Sequence, residues 1–140
     1  MFQQLMIVGF LGKDPEMRYA PSGDAVTNFN VTTNRKYTNK AGTKIEETTW
    51  FRVSTWGKTA ENCNQYLQKG SKVLVVGRLV GDPQYGGPKI WTAQDGTARA
   101  NFELSASEVR FLSSKGEVAE QTGMATEAAE EAPADDDIPF

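Results

Sequence analysis

The chain has 140 residues, 39% of them hydrophobic and 24% charged, with 15 Lys and Arg, 18 Asp and Glu, and a formal net charge of −3. That length holds one domain with at most a tail, no stretch is long and apolar enough to span a membrane, and no secretory pattern opens it. One cysteine and no histidine exclude an internal disulfide, zinc sites of the Cys/His kind and the usual acid–base triads, and they fit a reducing cytoplasm.

In chain order, LMIVGFLG (5–12) reads as a buried strand, closed by Lys13-Asp14-Pro15 and followed by a polar turn through APSGD. Asp14, Glu16 and Asp24 in that turn are better explained as hydrogen-bonding turn residues than as a metal site. AVTNFNVTT (25–33) alternates, with Ala25, Phe29 and Val31 on one face and Asn28 and Asn30 on the other. NRKYTNKAGTK predicts a long, basic, flexible hairpin loop, and ETTWFRVSTW (47–56) is the next strand.

KTAENCNQYLQKG (58–70) breaks the period of two. Ala60, Cys63 and Leu67 fall at helical spacing, Thr59 offers a cap, and Lys69-Gly70 is a stop. Cys63 reads as a small core residue, since no histidine could activate it as a nucleophile. SKVLVVGRLVG (71–81) and ARANFELSASEVRFL (98–112) are the last strands, the second with Phe102, Leu104 and Ala106 inward. The pattern predicts an all-β, OB-fold five-stranded Greek-key barrel with one helix between strands three and four; strand count alone leaves a sandwich open.

Composition changes after Ser113. Residues 1–115 hold all 15 basic side chains against 10 acidic ones, a formal +5, whereas eight acidic and no basic residues follow from Gly116. Such a division fits a polyanion partner for the body and a basic partner for the tail, or simply a solvated surface with a solubilising tail. The expected organisation is a binding domain over 1–112, a disordered acidic linker over 113–134, and a tip, Asp135, Asp136, Asp137, Ile138, Pro139 and Phe140. An aromatic ring beside three aspartates has no core to enter and suits a pocket with a basic rim on another protein.

The strand ETTWFRVSTW carries the chemistry. Thr49, Phe51, Val53 and Thr55 share one face and look like core, while Trp50, Arg52, Ser54 and Trp56 share the other. Two indoles beside an arginine either bury against a subunit or the helix, or form a platform on which unpaired bases stack. Stacking is worth ~1–3 kcal/mol per base and accepts any base, because every base has a π-face. Tyr37, with Arg35, Lys36, Lys40 and Lys44 in the hairpin loop, and Trp91 beside Lys89 in a second loop, extend the platform. Cationic side chains would track phosphates and aromatic rings would hold bases. Without a Walker-type loop or a histidine, catalysis is not expected, and no cofactor or metal is required.

The stretches VGFLGKDPEMRYAPSGDAVTNFNVTTNR, TTWFRVSTWGKTAENCNQYLQKGSKVLVVGRL and the terminal DDDIPF closely resemble the bacterial single-stranded DNA-binding proteins. The resemblance implies an OB-fold that assembles as a homotetramer and wraps single-stranded DNA in the cytoplasm, at the nucleoid. It further implies a tail tip that recruits replication, recombination and repair proteins. It places Trp50, Trp56, Trp91 and Tyr37 at base-stacking positions, and Arg52, Lys58 and Lys69 at basic positions near the DNA path. The segment VGDPQYGGPKIW (80–91) departs from the family pattern in being longer and richer in Gly and Pro, with Tyr85 as a further aromatic.

Overall fold

The β-branched and aromatic runs of the sequence form seven strands around one helix in a computed structural model that describes residues 1–113. In order they are β1 (Leu5–Leu11), β2 (Glu16–Tyr19), β3 (Ala25–Thr38), β4 (Lys44–Trp56), α1 (Gly57–Tyr66), β5 (Lys72–Val80), β6 (Lys89–Thr92) and β7 (Ala98–Phe111). The long strands pair in the order β1-β5-β7-β4-β3, and β1 meets β3 again through Phe10↔Thr32 and Leu11↔Val31. That last pairing closes a five-stranded barrel, and α1 falls between its third and fourth strands, as an OB-fold requires. Only β4 and β7 run parallel, from Phe51↔Phe102 to Ser54↔Ser105. The expected linker beyond Ser113 and the tip, 135–140, lie outside the described residues.

The inward set of each strand fills the barrel. Val31, Val53, Val73 and Val75 are completely buried, and Phe29 and Leu104 nearly so. Each such side chain contributes roughly 1.5–3 kcal/mol by leaving water. The helix adds Ala60 and Cys63, and Leu67 just beyond its end, to the interior. Burial pushes the Cys63 thiol up to about 11, against a smaller lowering from its hydrogen bond with Thr55, which makes it inert at neutral pH. Two buried hydroxyls fasten helix and strands: Thr27 donates to the Ala60 carbonyl at 2.7 Å, and Thr55 donates to the Thr27 carbonyl at 3.0 Å.

Four expectations change. The hairpin loop is mostly strand, because β3 runs to Thr38 and β4 begins at Lys44, in register from Val26↔Trp56 to Thr38↔Lys44. Opposite charges facing each other, Arg35↔Glu47 and Lys36↔Glu46, favour that extension. Only 39–43 turn, where Asn39 Oδ1 accepts the Ala41 and Thr43 amides at 3.0 and 2.9 Å. The segment read as a turn after β1 holds β2, a polar four-residue edge strand too short to show a period. The helix is shorter than 58–70, and its N-cap is Trp56 with no side-chain cap bond, so Thr59 does not cap it. Phe102, expected inside, is 48% exposed and packs its ring on Phe51 at 5.9 Å between centroids.

Candidate nucleic-acid interface

Along β4 the side chains divide as period two dictates. Val53 and Thr55 are buried and Thr49 and Phe51 half-buried, whereas Trp50, Arg52 and Trp56 are exposed and Ser54 half-buried. Directly opposed residues on paired strands share a face, so the outer face of β4 continues through Thr32 beside Trp50, Asn30 beside Arg52 and Asn28 beside Ser54. On the other side, β7 sets Glu103 beside Arg52 and Ser105 beside Ser54. The outer face of three strands is thus polar and aromatic at once.

A groove of about 410 Å³ opens on this face. Its walls include Trp50, Arg52 and Trp91, which the fold brings together from residues 41 positions apart in the chain, together with Asn28, Asn30 and Asn101. Lys13 and Glu16 stand at the same groove, 3.9 Å apart as an exposed ion pair. Trp50 and Trp91 are 54% and 42% exposed, an unusual state for two indoles so close to a barrel core.

Trp91 lies on a strand, not in a loop: β6 pairs with β7 through Lys89↔Asn101 and Trp91↔Arg99, so both residues face the groove side of that hairpin. The turn that reverses the chain is built by Asp95, whose carboxylate is held below its ordinary pKa chiefly by the Thr97 amide, a 2.9 Å hydrogen bond. Arg99 pairs with Asp95 at 3.6 Å.

The other expected residues stand apart from the groove. Trp56 ends β4, six residues from Trp50, or about 20 Å along a strand, and Lys58 follows it in the first turn of α1, 3.8 Å from Glu61. Lys69 lies past the helix, where its backbone N–H donates to Asp14 Oδ1 at 2.8 Å. This ties it to the turn that carries Lys13. Tyr37 and Arg35 are on the β3–β4 arm, where both engage Glu47: the Tyr37 hydroxyl donates at 3.3 Å, and the Arg35 guanidinium sits 3.5 Å away. The same guanidinium covers the Tyr37 ring at 4.7 Å. Lys36, Lys89 and Arg52 have no ion-pair partner among the described residues.

The sequence reading missed Gly12, Lys13, Asn28, Asn30 and Asn101 as residues of this site. The two β3 asparagines were within reach, since a hairpin register counted back from the β3–β4 turn pairs them with Ser54 and Arg52. Gly12 had no signal. A Cβ on it would lie 2.7 Å from Trp50 Cη2, so only glycine leaves room for the ring where it stands.

A closed five-stranded barrel with exposed indoles and an unpaired arginine on one sheet face belongs to the OB-fold binding modules. Residues 2–112 match the Single-strand binding protein family, and the chain belongs to that family. It is 39% identical over 116 residues to a protein of Wolinella succinogenes named single-stranded DNA-binding protein, covering 83% of this chain and 67% of the relative. A protein of the same name from Neisseria meningitidis is 34% identical, covering 81% and 62% of the two chains. The chain therefore spans about two thirds of the length of these relatives. Among solved structures, a deletion mutant of the Thermus aquaticus single-stranded DNA-binding protein aligns with a TM-score of 0.60 at 26% identity, over 81% of this chain and 51% of that one. A Plasmodium falciparum protein solved in complex with single-stranded DNA shares the fold, with a TM-score of 0.64 at 22% identity, over 81% and 96%.

Proposed function

We propose that this protein binds single-stranded DNA without sequence preference, as a homotetramer, and recruits replication, recombination and repair proteins to that DNA through its acidic tip. The observation that carries the reading is the pair of exposed indoles, Trp50 and Trp91, on one groove with Arg52. Bases in a duplex hide their faces; unpaired bases offer them, and two rings on one groove can hold neighbouring bases. The names of the curated relatives point the same way.

In this reading Trp50, Trp91, Trp56 and Tyr37 stack bases, and Arg52, Lys58, Lys69, Arg35, Lys36 and Lys89 meet phosphates. The ion pairs that engage Lys58 and Arg35 are exposed. Pairs of that kind are worth little and exchange readily for a phosphate. Self-assembly is supported by the outward row of β1, where Met6, Val8 and Phe10 are 61%, 45% and 42% exposed, apolar residues that a second copy of the chain would cover. At the tip, Phe140 would enter an apolar pocket while Asp135, Asp136 and Asp137 approach a basic rim.

The test is a titration of intrinsic Trp fluorescence with oligo-dT and with a matched duplex at two salt concentrations. The expected result is strong quenching by the single strand alone, weakening as salt rises. Protein truncated before Asp135 should bind with equal or higher affinity, because the tail competes with DNA for the basic surface. Folded protein that quenches with neither ligand would overturn the reading.

A further inference from the structure

We infer that the groove lined by Trp50 and Trp91 grips the hydrogen-bonding edges of unpaired bases through the carboxamides of Asn28, Asn30 and Asn101, and that this amide lining keeps the grip indifferent to base identity. The inference rests on the single-strand reading above and adds to it a second, non-stacking mode of contact.

Two strands set the amides. Asn28 and Asn30 come from β3 and Asn101 from β7, the two neighbours of β4 in the barrel, so they reach the groove from both sides of Arg52. β3 and β7 flank β4, so they stand two spacings of about 4.8 Å apart, and the amides bracket a width of roughly 10 Å, enough for neighbouring bases to be met from either side. Asn28 is held: its Oδ1 accepts the Ser54 hydroxyl at 2.7 Å, which leaves its NH2 to donate into the groove. Asn30 and Asn101 are half-buried, and their side chains make no hydrogen bond among the described residues.

That last condition is what points to a ligand. A half-buried amide is still served by water while the groove is open. A base stacked across the groove would remove that water, and each amide left without a partner would then cost free energy. The base itself can supply the partners. Every base edge presents a donor next to an acceptor, or two acceptors, and a carboxamide carries one donor group and one acceptor that exchange places on a half-turn of the side chain. Asn30 and Asn101, being unfixed, can match any of the four edges. Neutral amides also add affinity without releasing counterions, so their share does not fade with salt.

The experiment compares the protein with its Asn30→Ala/Asn101→Ala variant on oligonucleotides of equal length built from dT, dC or N3-methyl-dT. N3-methylation leaves the ring face for stacking, removes the N3–H donor and crowds the two carbonyl acceptors beside it. The expected result is a loss of about 3- to 10-fold in affinity for the variant. That loss should be similar on dT and dC, with an unchanged slope of log affinity against log salt. The unaltered protein should lose a comparable factor on N3-methyl-dT, a measurement that needs no variant to fold, whereas the variant, which keeps only Asn28, should distinguish dT from N3-methyl-dT less than the unaltered protein does. Equal binding of dT and N3-methyl-dT by the unaltered protein, or a variant loss confined to one base, would overturn the inference while leaving the single-strand reading in place. Failure of the unaltered protein to bind any of these strands would instead remove the single-strand reading itself.

Discussion

Gly12 determines where Trp50 can stand. Its own N–H is fixed to the Asn30 carbonyl at 3.1 Å, so its backbone cannot retreat, and the indole occupies the space a side chain would take. Gly12→Ala should therefore push the Trp50 ring off its present site while leaving the barrel intact, since the clash is with an exposed ring and not with backbone. The expected outcome is weaker binding of oligo-dT, by as much as the ~1–3 kcal/mol of one stacked base, with a melting temperature within a few degrees of the parent. Unchanged affinity would show that Trp50 does not need its present position. Gly77 offers the contrast. A Cβ there would strike the Ser105 carbonyl and Ala106 Cα at the β5–β7 bulge, so any side chain should unseat the sheet itself. At this scale the sequence shows which residues carry aromatic and cationic chemistry. It does not show that a glycine 38 positions away makes room for one of them.

Among the elements, α1 acts chiefly as a plug. Its inward side chains, Ala60 and Cys63, are small, so the helix lies close to the barrel and a hydroxyl can bridge the gap. Thr27→Val removes that hydroxyl at nearly constant volume and leaves the Ala60 carbonyl buried without its partner. The expected cost is ~1–3 kcal/mol of stability, measured by urea unfolding, with single-strand affinity unchanged because Thr27 faces the helix and its neighbour Asn28 faces the groove. A loss of affinity at full stability would contradict this division of faces. The period of two made the long strands legible, and the spacing of Ala60, Cys63 and Leu67 revealed the helix. What it left hidden was the length of the β3–β4 arm. There, Lys, Arg, Asn and Thr suggest a loop by composition, yet facing charges across the strands hold a ladder. The tiny edge strands β2 and β6 were hidden for another reason, because four residues are too few to show alternation.

For the whole molecule, closure of the barrel turns one face of β1 inward and leaves Met6, Val8 and Phe10 pointing out. Their register partners on β5 are Val76, which is buried, half-buried Leu74 and exposed Lys72, so the exposed apolar row is chiefly that of β1. If that surface joins copies of the chain, Val8→Asp should lower the mass seen by light scattering and weaken binding of long single strands more than short ones. An unchanged mass would exclude β1 from the interface, and a parent protein that is already monomeric would remove the assembly proposal.

The sequence by itself determined the two faces of β4. Consecutive side chains of a strand must point to opposite sides, so TWFRVSTW places tryptophan and arginine opposite valine and threonine whatever the strand pairs with. It likewise determined the helical plug and the absence of histidine chemistry, because both depend only on local spacing and composition. Tertiary structure alone decided that Trp91 joins Trp50. That meeting needs β7, whose first residues form a hairpin with β6, to pair in parallel with β4, a contact between residues 51 positions apart that no local pattern encodes. Asn101 follows from that pairing, Asn28 and Asn30 from the β3–β4 ladder, and Gly12 from its bond to β3, so each takes its position from a neighbouring strand and not from its neighbours in the chain.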